Sequence, residues 1–557
     1  MSDPAQRHPS PLPAAVIGCA GVMLLVAAIL ALLSDGNYQD DSLTHYLMAR
    51  WSWAYPKYLL DEWGRPAFTG PYMLVANIGS PRVGFAMARL MTVACVGVSA
   101  WAAWRVALRV VAEARSFCSG MGERWVAGLG AVAVVGFPLN FTMSFDTMTE
   151  PICAAYVGLG TWLMLKDRTR WAAIVFSMVP LARHEGAALL PVVAALLAWR
   201  RDWVAIPLLA VGEVAWNVAK PMAGFPWKEL PILRFFGGED VNQLGYGGPL
   251  HYVMALGEAV GPAMLGPVVL GAILLTIGCV KRLRNGYDPV GAAMLLCGPG
   301  TLAMLLLQTL LYMVNTHASG GYARFLLPAA PWMGVCVAAA VAWLLAEGNR
   351  RRLALAAGVM LAVVLLAAFE ARRQGFPPYW GWPKWFAWLA PVGIAIAPLL
   401  LRPSVAKVRI TLVLLGVVAS LTWLGVVRPQ RLAPHTRLVG EVMAYYANDP
   451  QYRDHLVVGD NPWTHYFSNR PMPPGGMWAP TEWFHTNVEA EGYAGLIYLW
   501  DQDHSITNLP LDELQVMPHR RLPTPQTKTL RERSPEDSLQ RYLIVFERIG
   551  GSIPDGG

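Results

Sequence analysis

Residues 14–33 form an uninterrupted apolar run, and the chain then reads Asp35-Gly-Asn-Tyr-Gln-Asp40-Asp41-Ser-Leu-Thr-His45-Tyr46. The run has the roughly 20 residues that cross a bilayer. It exceeds the roughly 7–15 residues of a signal-peptide core, so it reads as an uncleaved first span. Two adjacent carboxylates stand just past it, with aromatic residues behind them. Carboxylates at that boundary face both water and lipid, a position suited to a base acting on a lipid-carried substrate.

Composition supports the membrane reading. Of 557 residues, 55% are hydrophobic and 15% charged, where soluble domains carry about 25% charge. The net charge of +7 resides mostly in short clusters between apolar runs, which marks topogenic loops; the partner is membrane lipid, with no nucleic acid. Seven cysteines lie in or beside apolar runs without metal-ligand spacing, and behave as small hydrophobes.

Further apolar runs appear near 83–104, 125–139, 149–165, 171–199, 203–219, 252–280, 289–313, 325–346, 353–369, 385–401 and 410–427. Basic clusters at Arg105/Arg109/Arg115/Arg124, Lys166/Arg168/Arg170, Arg200/Arg201, Lys281/Arg282/Arg284, Arg350/Arg351/Arg352 and Arg402/Lys407/Arg409 belong to the cytoplasm by the positive-inside rule. Run 171–199 is flanked by such clusters on both sides. It must therefore turn back, as a hairpin with its apex at Leu181-Ala-Arg183-His184-Glu185-Gly186. About thirteen spans result, with the N-terminus inside and the C-terminus outside; Arg372/Arg373 is the one outward pair against the rule. Residues 1–427 form the membrane module. Within it, loop 35–82 is aromatic and interfacial, and loop 220–251 is Gly-rich at its end. Residues 428–557 turn charged and Pro-rich, with short β-like runs at 456–459, 495–500 and 541–546, which predicts a small extracytoplasmic α/β domain.

Ionisable residues at membrane depth are costly and mark function. Asp40 and Asp41 read either as helix-start charges or as a carboxylate pair, one of them tuned as a proton acceptor. Asp146 and Glu150, four apart before Pro151, would share a helix face or cap the next span. Arg183, beside His184 and Glu185, has no topogenic role at an outward apex; it pairs with Glu185 or holds a phosphate through its fork of donors. Arg324, in Gly320-Gly-Tyr322-Ala-Arg324-Phe325, either snorkels or joins Arg183 in a phosphate cradle. The tail histidines have no zinc-like spacing.

These pieces resemble the GT-C superfamily of integral-membrane glycosyltransferases, nearest the protein O-mannosyltransferase and aminoarabinose-transferase branch. Four matching pieces occur in order: Gln39-Asp40-Asp41 with His45 and Tyr46 downstream, Trp63-Gly-Arg-Pro-Ala-Phe68 after Glu62, the apex Arg183-His-Glu185-Gly, and Tyr322-Ala-Arg324-Phe-Leu-Leu-Pro-Ala-Ala-Pro331. The likeness covers about residues 14–430; Asp41 stands where that branch carries Glu. It implies an all-α polytopic GT-C fold in the inner (plasma) membrane. The implied reaction is inverting transfer of a mannose-like or pentose sugar from a polyprenyl-phosphate donor to a protein, lipid or glycan acceptor outside. Asp40 would deprotonate the acceptor, and Arg183 and Arg324 would stabilise the departing phosphate. Asp146, Glu150, Glu62, Glu185, His45, Tyr46 and Tyr322 would hold acceptor or sugar, or support the site. A divalent ion, Mg or Mn, on Asp41, Asp146 and Glu150 is a secondary option. The rival readings are a lipid-linked sugar flippase, which lacks the internal repeat such transporters show, and a polymer ligase of similar architecture.

Overall fold

The computed structural model describes residues 12–113, 123–225, 247–284, 286–314, 320–345, 350–373, 427–452, 454–471, 494–501, 519–522 and 543–548. The chain divides into two compact units, Met1–Leu32 with Arg89–Pro429 and Leu33–Ala88 with Gln430–Gly557. The runs at 385–401 and 410–426 and the centre of loop 220–251 lie outside the described residues.

The first unit is helical. Five described helices are long and apolar enough to cross a membrane: Ala15–Leu33, Pro81–Ala112 (whose first turns belong to the second unit), Pro262–Leu283, Pro289–Met313 and Ala323–Leu344. Two runs that read as single spans are broken. Run 125–139 bends by 65° between Glu123–Gly136 and Pro138–Ser144, because Pro138 cannot donate to the turn before it. Run 252–280 separates into His251–Val260 and Pro262–Leu283 at Gly261, whose φ is +79°. Small residues let the helices approach closely. A Cβ on Gly271 would collide with the Cys336 carbonyl oxygen, so helices Pro262–Leu283 and Ala330–Leu345 touch backbone to backbone.

Run 171–199 forms the expected hairpin. Helices Thr169–Ser177 and Val179–Ala182 rise to an extended Arg183, a 3-10 turn follows over His184–Leu189, and Leu190–Arg200 returns. The base is tied by Arg200, which donates to Thr169 Oγ1 at 2.8 Å and pairs with Asp167 at 2.6 Å and Asp202 at 3.2 Å. The 14 residues from Thr169 to Ala182 rise about 21 Å, which carries the apex across most of a roughly 30 Å hydrocarbon core. The out-of-rule pair Arg372/Arg373 closes helix Arg350–Arg373, where Arg373 binds Glu370 through two hydrogen bonds of 2.6 and 2.8 Å. That pairing neutralises one of its two charges.

The second unit joins segments far apart in sequence. Loop 35–82, which the hydropathy pattern assigns to the membrane module, folds with the C-terminal residues. The reason is backbone pairing: Asp35 and Gly36 N–H both donate to Gln430 O, and Gln430 N–H donates to Ser34 Oγ. Helix Asp40–Trp51 is buried from Ser42 to Ala49, and Trp51 meets His465 edge-on at 5.8 Å. Arg50 donates to Ala76 O and Gly79 O, capping the end of helix Pro66–Ala76, and reaches Asn469 Oδ1 at 3.3 Å. The C-terminal part is α/β, with helices Pro434–Asn448 and Pro462–Ser468 and a four-stranded sheet. Strands β1 (His455–Val458), β2 (Gly495–Asp501), β3 (His519–Leu522) and β4 (Leu543–Arg548) lie in the order β1-β2-β4-β3. The β1–β2 pair is parallel and the others antiparallel. Three strands match the predicted runs; β3 was not predicted.

Candidate active site

In the first unit, Glu150 occupies the first turn of helix Thr149–Leu165 and is fully buried. Arg183, extended at the hairpin apex, donates from Nη1 to Glu150 Oε1 at 2.6 Å and Thr149 Oγ1 at 3.3 Å. Its Nη2 donates to Glu185 Oε1 at 2.9 Å. Arg324 Nε stands 3.6 Å from the same Glu150 oxygen. One carboxylate oxygen therefore lies between two guanidinium groups, while Glu150 Oε2 is buried with no hydrogen-bond partner. Both guanidiniums lie against Phe325, at 4.6 Å and 5.4 Å from its centroid, and Arg324 is also 5.0 Å from the Tyr322 ring. Such planar cations tolerate burial better than a hydrated ammonium.

Arg324 is aimed by local geometry. Gly320 and Gly321 have φ of +54° and +69°, the left-handed region that glycine enters without strain. A Cβ on Gly321 would also lie 2.7 Å from His251 Nε2 and from Tyr312 Cζ. His251 Nε2 donates to Gly321 O at 2.7 Å, fixing the turn that leads into the 3-10 segment Ala323–Ala329.

A cavity of about 310 Å³ adjoins these charges. Arg183, Glu185 and Gln308 are its polar lining; the remaining wall is apolar, with Val157, Leu296, Met304 and Trp332 among its residues. A largely apolar wall with a guanidinium in it suits an amphiphile with an anionic head at Arg183.

The structure distributes the other sequence-based candidates differently. Asp146 is buried in the turn before Met148, the N-cap of helix Thr149–Leu165, and its Oδ1 accepts from Thr147 N–H at 2.9 Å. It therefore does not share a helix face with Glu150, and neither it nor Thr149 caps that helix. Asp40 and Asp41 belong to the second unit. Gln39 is the N-cap of helix Asp40–Trp51, so the pair forms its first turn, where negative charge suits the helix dipole. Asp40 is exposed and accepts from Asn37 Nδ2 at 3.3 Å. Glu62 is half-buried in the turn after Asp61. His45 packs on Phe68 and Trp63. Tyr46 is fully buried and donates its hydroxyl to Pro81 O at 2.7 Å, a contact that fits a supporting role. Among the described residues no group of three His, Cys, Asp or Glu side chains could hold a metal ion.

Sequence reading missed Thr149, Phe325, Tyr252 and Gln308. Tyr252 is buried and its hydroxyl makes no hydrogen bond. Gln308 carried a readable signal, as the lone amide in the otherwise apolar helix Pro289–Met313.

No protein-family model and no curated protein matches this sequence. Solved structures do. ArnT from Cupriavidus metallidurans bound to undecaprenyl phosphate is 11% identical, with a TM-score of 0.56 over 97% of this chain and 99% of that one. The apo form is 13% identical, with the same TM-score and coverage. This chain has the GT-C fold. The GT-C fold accounts for the multi-pass helical unit and the α/β C-terminal part together, since the match runs over nearly the whole of both chains.

Proposed function

We propose that this protein is an inverting glycosyltransferase that moves a sugar from a polyprenyl-phosphate carrier to a hydroxyl-bearing acceptor outside the inner membrane. The observation that carries the reading is the cavity, largely apolar and lined by Arg183 and Glu185 as well as Gln308. ArnT, whose fold is shared, has been solved with undecaprenyl phosphate bound.

In the reaction the bond between the anomeric carbon and the phosphate oxygen breaks as the acceptor oxygen attacks from the opposite face. Asp40 takes the acceptor proton, and the polyprenyl phosphate leaves with the electron pair. Arg183 and Arg324 stabilise the charge that grows on the phosphate, and fixed cations in a water-poor site do this with little reorganisation. Glu150 holds both guanidiniums in register, so their remaining donors are directed before substrate arrives.

The test supplies purified protein in lipid with undecaprenyl phosphate carrying mannose, glucose, arabinose or 4-amino-arabinose, and follows release of undecaprenyl phosphate. At least one donor is consumed by wild type and none by Asp40→Asn. Movement of labelled lipid across the vesicle without consumption of any donor would establish the flippase reading instead.

A further inference from the structure

We infer that Gln308 reads a hydroxyl of the transferred sugar, which makes it a specificity-determining residue of the donor site; the inference rests on the glycosyltransferase reading above. Gln308 lies in the last third of helix Pro289–Met313, is 1% exposed and lines the cavity, and its amide oxygen has no hydrogen-bond partner. A buried polar group without a partner is costly, and such groups at membrane depth mark ligand paths. An apolar side chain would line this wall more stably.

The chemistry of the missing partner narrows the ligand. The orphaned atom is an acceptor, so it calls for a donor. An isoprenoid chain offers none, and an ionised phosphate only accepts. A sugar hydroxyl can both donate to the amide oxygen and accept from the amide nitrogen. Placement agrees. Gln308 and Arg183 line the same cavity, so a sugar attached to a phosphate held by Arg183 is set against the wall that carries Gln308.

The inference is tested by comparing Gln308→Met with wild type for binding of two lipids by native mass spectrometry. One is undecaprenyl phosphate, and the other is the sugar-linked undecaprenyl phosphate that wild type turns over. The variant is expected to melt at or above the wild-type temperature and to bind undecaprenyl phosphate unchanged. It should bind the sugar-linked lipid about tenfold more weakly, the worth of one hydrogen bond between neutral groups. Gln308→Asn, with the same amide on a shorter stem, should recover part of that loss. Equal weakening of both lipids, or of neither, overturns the assignment. Wild type binding neither lipid overturns the glycosyltransferase reading itself, and this one with it.

Discussion

At the residue scale, Glu150 is the hinge of the charge cluster, because two arginines depend on one of its oxygens. Removing one member of a buried ion pair leaves the others uncompensated, which costs about 3–5 kcal/mol. Glu150→Ala is therefore expected to lower the melting temperature of the detergent-solubilised protein severely, and Glu185→Gln, at the more open edge, to lower it less. His465 gives a second prediction. Burial holds its pKa down at about 4, against an ordinary 6.5. Between those values the unfolded chain binds a proton that the folded chain does not. The contribution is complete above pH 6.5 and is lost as pH falls toward 4, on the order of 3 kcal/mol in all. Protection factors at strand β1, corrected for intrinsic exchange, should fall as pH drops through that window in wild type and stay level in His465→Gln. Individual charged residues were legible in the sequence because a charge in an apolar run stands out. Their partners were not: that Arg183 faces Glu150, 33 residues away, depends on how two helices pack.

At the element scale, the hairpin was readable from charge alone. Basic clusters at both ends of one long apolar run forbid a single crossing, and the Arg200 contacts close its base. These contacts are half-exposed, so Arg200→Met should cost only about 1 kcal/mol in thermal unfolding. The Gly271 contact is the opposite case. Gly271→Ala must push the Cys336 backbone away, and overpacking of this kind costs about 1–3 kcal/mol; a melting temperature equal to wild type would show that the two helices separate freely. Breaks at Pro138 and Gly261 escaped sequence reading, because hydropathy records apolar length and is blind to bends. Strand β3 escaped too: His519-Arg-Arg-Leu522 is short and basic, and pairs through its backbone.

At the scale of the whole molecule, membrane class, helical fold and the α/β character of the tail followed from composition and pattern. The partition did not. Residues 35–82 and 430–557 fold together through the bonds from Asp35 and Gly36 N–H to Gln430 O, and bonds between main-chain groups nearly 400 residues apart leave no trace in side-chain identity. Ending the chain at Arg428 should expose Trp51 and Tyr46, and trypsin is expected to cut after Arg50 in that truncation while sparing the full-length protein.

The four charged side chains around Glu150, two arginines and two glutamates, sum to zero. A phosphate dianion seated among them would leave the site doubly negative in a medium that barely screens charge. Lipid arrival should then draw protons from solution. Calorimetric titration of the protein with undecaprenyl phosphate should give a heat that scales with the ionisation enthalpy of the buffer, and an affinity that rises as the medium is acidified. The membrane site would then sense not only the lipid but the proton supply on the side from which it is reached.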